Sequence, residues 1–133
     1  MKVAAVTALA LAVARAAAAP SHIELGLPIA CELGRTCEIQ HYVDRDAGPG
    51  VRDYRCGLHS YDRHDGIDFR IPDMAAQRRG VTVLAAAAGK VVATRDGAPD
   101  ISVSAPGAPS VAKVECGNGV LIDHGDGWRT QYC

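Results

Sequence analysis

The stretch NGVLIDHGDGWRTQY, residues 118–132, carries the strongest fold signal in the chain. Its first half is apolar and partly β-branched, and its centre is rich in glycine and aspartate, the composition of a tight turn. Two short strand-like runs around such a turn predict an antiparallel β-hairpin. Cys116 and Cys133 flank the stretch at nearly equal distances from its turn, so a disulfide between them would join its ends. Spacing alone leaves that pairing a hypothesis.

A second pair of strand candidates precedes this hairpin. Residues 81–84 (VTVL) and 91–94 (VVAT) are rich in β-branched side chains, and Gly89 with Lys90 can turn the chain between them. We therefore predict another β-hairpin here, and one helical turn near Ala75. Hairpins in series without long helical periodicity predict an all-β domain, built as an antiparallel sheet, a sandwich or a partly open barrel.

The remaining segments are expected to be irregular. Residues 96–110 are dense in Pro, Gly, Ala and Ser, which predicts a surface loop. Residues 20–60 mix short apolar pieces with Asp, Gly and Pro, and we interpret them as an irregular lead-in held by disulfides. The folded domain is expected to occupy residues 61–133.

The first 19 residues predict a secretory signal peptide. A lysine at position 2 precedes an apolar run over residues 3–14, and small residues follow at 16–19. The run is shorter than the ~20 residues that a membrane span needs, and no later segment could span a membrane. In the oxidising compartment that export implies, the five cysteines are expected to form disulfides, with one left over.

Charge and composition exclude some classes of partner. The formal net charge is −1, basic residues form no stripe, and only 5% of residues are aromatic. The chain therefore offers a nucleic acid neither electrostatic attraction nor aromatic side chains for base stacking, and we do not expect a nucleic-acid partner.

The segment HDGID, residues 64–68, is the candidate metal-binding motif. In a straight strand, His64 and Asp68 would stand ~13 Å apart, whereas two ligands of one zinc ion lie within a few ångströms of each other. Gly66 and the downstream Pro72 disfavour a helix, which leaves a bend at Gly66 as the geometry that could bring them together. The alternative is an ordinary solvated loop, which the spacing alone would favour.

Three ordered motifs add context. Residues 64–69 fit H-x-G-x-D-[FL] with Pro72 shortly after, residues 83–91 fit V-x-A-A-x-x-G-x-V, and residues 117–132 fit G-N-x-V-x-I-x-H-G-x-G-x-x-T-x-Y. Together they closely resemble the lysostaphin-like (LytM-type) zinc metallopeptidases, over about residues 60–132. Tyr61, just before the first motif, is a further candidate, as a hydrogen-bond donor to an oxyanion.

The resemblance implies an antiparallel β fold of the duplicated hybrid motif type, with a metal in a groove on one sheet. It implies that His64 and Asp68 are two of three protein ligands to Zn²⁺. The substrate class it implies is the peptide part of bacterial peptidoglycan, which such secreted endopeptidases hydrolyse outside the cytoplasm.

The sequence departs from the family pattern after the T-x-Y of the last motif. A catalytic histidine and a later H-x-H motif, which supplies the third zinc ligand, would follow Cys133, where the sequence given stops. We therefore expect a truncated, inactive chain with no assignable catalytic residue and a sheet incomplete at its C-terminus. Motif position assigns these roles to none of the other histidines, which are His22, His41, His59 and His124.

Two alternatives remain open from the sequence. A non-catalytic family member could bind wall peptide or regulate another hydrolase. A disulfide-stapled secreted β module could carry the H-x-G-x-D spacing by coincidence, in which case it would bind no metal.

Overall fold

The computed structural model describes residues 22–133, so the expected signal peptide lies outside the described residues. The elements of this part are five strands and one short helix, in the order β1 (Glu38–His41), β2 (Asp68–Arg70), α1 (Met74–Arg79), β3 (Lys90–Arg95), β4 (Gly119–Gly125) and β5 (Trp128–Tyr132). All the strand pairs are antiparallel and fall into two sheets. The predicted all-β class is confirmed.

The larger sheet contains three strands in the order β3-β4-β5. Its β4–β5 pair is the hairpin predicted from residues 118–132, and Asp126 and Gly127 at its turn both have positive φ, 50° and 83°. The Cys116–Cys133 disulfide joins the ends of the hairpin, as hypothesised. Ile122, at the centre of β4, is one of the few buried apolar side chains.

The smaller sheet pairs β1 with β2. Ile39 lies opposite Phe69 and His41 lies opposite Asp68, with an irregularity in the pairing between Ile39 and His41. Strand β1 belongs to the lead-in, and β2 begins at Asp68, the last residue of the H-x-G-x-D segment. The lead-in therefore contributes a strand directly beside the candidate site. The Cys31–Cys37 disulfide closes a short loop just before β1.

The prediction of a hairpin between residues 81–84 and 91–94 is wrong. Strand β3 pairs with β4 instead, and residues 81–84 form no strand. Val83 makes a single bridge with Ile29 of the lead-in, and Leu84 N donates to Pro28 O over 2.9 Å. Backbone groups of residues 81–84 therefore find partners in the lead-in, a choice that β propensity does not determine.

The short helix and the loop were predicted correctly. Asp73 caps α1, since its Oδ1 accepts from Ala76 N over 2.7 Å, and the helix stops at Gly80, whose φ is 82°. Residues 96–110 contain turns and bends but no helix or strand. Within residues 22–133, no helix has the length and apolar character that a bilayer span needs.

Apolar burial in the described part of the chain is slight. The buried apolar side chains there are Cys37, Ala76 and Ile122. Strand β3 is exposed along its whole length, with Val91 and Val92 at 53% and 47%. Disulfides and polar contacts therefore hold much of this fold, and the site depends on them.

Candidate functional site

A bend at Gly66 brings His64 and Asp68 together. His64 lies in the loop before β2 and Asp68 is the first residue of β2, and the distance from His64 Nε2 to Asp68 Oδ2 is 3.5 Å. Two donors bound to one tetrahedral zinc ion at ~2.0–2.1 Å would be about 3.3 Å apart. The predicted bend is therefore present, and the separation suits a shared metal ion.

The imidazole of His64 is held with one nitrogen unsatisfied. The residue is 7% exposed, and its Nε2 is buried without a hydrogen-bond partner. At 3.5 Å, Asp68 Oδ2 is too far for a good hydrogen bond, and an unpaired buried polar atom costs about 1–3 kcal/mol. A metal ion that accepts one imidazole nitrogen and one carboxylate oxygen would satisfy both groups, so these residues fit zinc.

Asp44 of the lead-in fixes the loop that carries His64. Its backbone N donates to His64 O over 2.7 Å, and its Oδ2 accepts from Arg63 N over 3.0 Å. Its Oδ1 accepts from Asp46 N and from Arg52 N. These backbone donors, Asp46 N foremost, lower the pKa of Asp44, so the carboxylate stays ionised and keeps the loop in place.

Asp53 organises the preceding loop in the same way. It is 6% exposed, and its carboxylate accepts from the backbone N of Arg55, Gly57 and His59. The hydrogen bond from Gly57 is the main cause of its lowered pKa. Tyr42 N donates to His59 O, which ties this loop to the end of β1.

His41 joins the site although its sequence context gave no reason to expect it. Its Nδ1 lies 2.9 Å from Asp68 Oδ2, the same oxygen that faces His64. The lead-in matches no motif, and a cross-strand neighbour depends on a register that the sequence does not display.

Tyr61 packs beside the two histidines. Its ring centroid lies 4.2 Å from that of His64 and 5.4 Å from that of His41, the latter edge-on. Burial, then the negative charges of Asp68 and Asp65, raise the pKa of its hydroxyl. Tyr61 is therefore a neutral phenol at neutral pH, which keeps it available as a hydrogen-bond donor.

His124 is committed elsewhere. It lies near the end of β4 rather than in the turn, its Nδ1 donates to Ala88 O over 2.8 Å, and its Nε2 shares a 2.8 Å hydrogen bond with Thr130 Oγ1. Tyr132 OH, next to Thr130, accepts from Ala86 N. His124 Nδ1 and Tyr132 OH thus tie the β4–β5 hairpin to residues 86–88, while His124 Nε2 joins β4 to β5, so His124 has a structural role.

No three His, Cys, Asp or Glu side chains in residues 22–133 are already grouped around one metal position. Four of the five cysteines are in disulfides, and the free one, Cys56, is exposed. The candidate site is therefore a His64–Asp68 pair, with His41 attached to its carboxylate.

Compared with known proteins, the chain matches no protein-family model, no curated protein and no solved structure. The likeness to lysostaphin-like metallopeptidases therefore rests on the three motifs in the sequence.

Proposed function

We propose that this chain belongs to a secreted bacterial zinc metallopeptidase that acts on the peptides of peptidoglycan. The observation that carries the proposal is the approach of His64 Nε2 to Asp68 Oδ2, at 3.5 Å, in an H-x-G-x-D segment. A solvated polar loop gives no reason for an imidazole that is 7% exposed to hold an unpaired nitrogen toward a carboxylate.

The residues present would hold the metal as follows. His64 offers an imidazole nitrogen from a loop that Asp44 fixes, and Asp68 offers a carboxylate oxygen from the first position of β2. A bound zinc ion supplies a Lewis acid that polarises the scissile carbonyl. The negative charge of Asp68 partly neutralises the ion, and Tyr61 stands beside the pair as a neutral hydroxyl donor.

Within residues 22–133 the candidate site offers zinc the His64–Asp68 pair alone, so we expect the chain to bind zinc and wall peptide without cutting it. Two protein ligands hold zinc more weakly than the three of an ordinary catalytic site. His124 in β4 cannot serve as an extra ligand or as a general base, because both of its ring nitrogens make structural hydrogen bonds.

Export is part of the proposal. The Cys31–Cys37 and Cys116–Cys133 disulfides persist in an oxidising compartment such as a periplasm or the cell exterior. The charged, apolar and small-residue regions of residues 1–19 supply the matching signal-peptide pattern.

Sedimentation with insoluble peptidoglycan tests the proposal. We expect the purified chain to sediment with peptidoglycan in the presence of zinc, to stay in solution after chelation, and to release no soluble peptides. His64→Ala should abolish the zinc-dependent fraction, whereas His22→Ala, at an exposed position outside the motifs, should not change it. Sedimentation that ignores zinc and His64 would instead support a wall-binding module without metal, and no sedimentation would leave no evidence for a wall substrate.

A further inference from the structure

His41 reaches the candidate site from outside every motif. It is the last residue of β1 and lies opposite Asp68 in the β1–β2 ladder. The pairing is irregular between Ile39 and His41, and such an irregularity changes the direction in which the next side chain points. Here it is followed by an imidazole that contacts the carboxylate of Asp68.

The contact with Asp68 is a hydrogen bond of defined direction. Because an ionised carboxylate only accepts, His41 Nδ1 donates to Asp68 Oδ2, over 2.9 Å. The same Oδ2 lies 3.5 Å from His64 Nε2. An aspartate carboxylate otherwise turns easily about its last torsion, so this hydrogen bond determines which oxygen faces His64.

We propose, building on the proposed zinc site, that His41 is a positioning residue that holds the Asp68 carboxylate in its metal-binding orientation. An oxygen with two lone pairs can accept from His41 with one and bind the ion with the other. Carboxylates that bind metals are themselves hydrogen-bonded, and loss of such a partner typically lowers metal affinity about 10–100-fold. The lead-in is then part of the metal-binding unit.

The geometry favours this role over two others. If His41 bound the same ion through Nδ1, the ring nitrogen that faces Asp68, that nitrogen would need a free lone pair, but it carries the hydrogen that Asp68 accepts. Its 2.9 Å distance is also that of an ordinary hydrogen bond and shorter than the separation of about 3.3 Å between two donors on one zinc ion. If His41 instead blocked the metal, it would hold Asp68 away from His64, whereas the two lie 3.5 Å apart.

The neighbouring rings support a fixed orientation of His41. Tyr61 meets its ring edge-on at 5.4 Å between centroids, and the His64 ring lies 6.0 Å away, also edge-on. The His41 ring is thus packed against both Tyr61 and His64. Its side chain is 30% exposed, so the hydrogen bond to Asp68 is partly shielded from water.

Zinc affinity of His41 variants in the full chain, measured by competition with a chromophoric chelator, tests the inference. His41→Ala should lower the affinity about 10–100-fold, while His41→Asn should stay within about threefold of the unchanged chain. The amide nitrogen of asparagine is as many bonds from Cβ as Nδ1 and can donate to Asp68, but it is not a zinc ligand. His22→Ala is the matched control for loss of an imidazole.

Each other outcome is decisive. If His41→Asn loses as much affinity as His41→Ala, the imidazole is a ligand and the positioning role is overturned. Unchanged or increased affinity in His41→Ala also overturns it. If His64→Ala abolishes binding while His41→Ala leaves the zinc affinity unchanged, only this inference fails. If the unchanged chain takes up no zinc, the proposed function fails with it. Should His41→Ala unfold, as circular dichroism would show, the asparagine variant alone decides.

Discussion

Two carboxylates that accept backbone hydrogen bonds hold the loops around the candidate site in place. Asp44 and Asp53 each accept three backbone N–H groups, and through them fix the loops that lead to His64. Side chains of this kind must be ionised to accept all three bonds, so the loops depend on pH.

Acidification should therefore destabilise the chain. The pKa of Asp53 in the fold is lowered below its ordinary value of 3.8, chiefly by the Gly57 N–H, and that of Asp44 is lowered by Asp46 N–H. Stability from a lowered pKa is fully present above the unfolded value and is lost as pH falls through the folded one. We expect the thermal midpoint to fall as pH is lowered below about 4.

Asp53→Asn is the variant that tests this assignment. It should lower the midpoint at neutral pH and make the loss on acidification shallower, because the amide cannot titrate. Thermal melts of both chains between neutral pH and pH about 3 would show it. Parallel pH profiles for the two chains would contradict the role given to Asp53.

His64 and Asp68 could be found from the sequence because a short motif carries them, and the bend that joins them is local. His41 could not, because its place depends on which strand β1 pairs with and on an irregularity in that pairing. The contribution of Asp44 was equally hidden, since its partner Arg63 is 19 residues further along the chain.

Sequence patterns predicted strands β3, β4 and β5 but not β1 or β2, and of the strand pairings they predicted only that of β4 with β5. The β4–β5 hairpin was evident because its turn residues lie between its strands. Residues 81–84 have strand composition, yet their backbone groups pair with the lead-in near Ile29. A partner that lies some 50 residues away leaves no periodic signal.

Gly66, at the bend before β2, and Gly89, just before β3, should respond differently to replacement by alanine. A Cβ on Gly66 would meet nothing closer than His64 Cε1 at 3.8 Å, whereas on Gly89 it would lie 2.6 Å from both Asp123 O and Ile122 Cγ2. Gly66→Ala should therefore leave stability unchanged or raise it by about 0.5 kcal/mol, through the unfolded state. Gly89→Ala should cost about 1–3 kcal/mol.

Denaturant unfolding of the two variants measures both effects. The bend was predicted because glycine lacks a Cβ, but the space around Gly66 shows that an alanine fits there. A Gly66→Ala chain that unfolds more easily than Gly89→Ala would contradict this reading of the two positions.

At the scale of the whole molecule, two sheets with few buried side chains are assembled around the lead-in. It contributes β1 to the small sheet, Ile29 to the bridge with Val83, and Asp44 to the loop of His64. The Cys31–Cys37 and Cys116–Cys133 disulfides close local loops in the lead-in and around the last hairpin. Where apolar burial is slight, such cross-links carry more of the stability.

The candidate site includes residues from both the lead-in and the predicted domain. The motifs implied a metal-binding domain that begins near residue 61, with the lead-in as an accessory. Because strand pairing and side-chain contacts cross that boundary at His41 and Asp68, the site is built from both parts.

Calorimetric titration of the metal-free chain with Zn²⁺ measures whether His64 and Asp68 together bind zinc. We expect one zinc ion per chain, with affinity lowered at least about tenfold by His64→Ala and by Asp68→Asn, and unchanged by His22→Ala. No zinc uptake, or equal uptake after both site residues are replaced, would show that His64 and Asp68 are not zinc ligands.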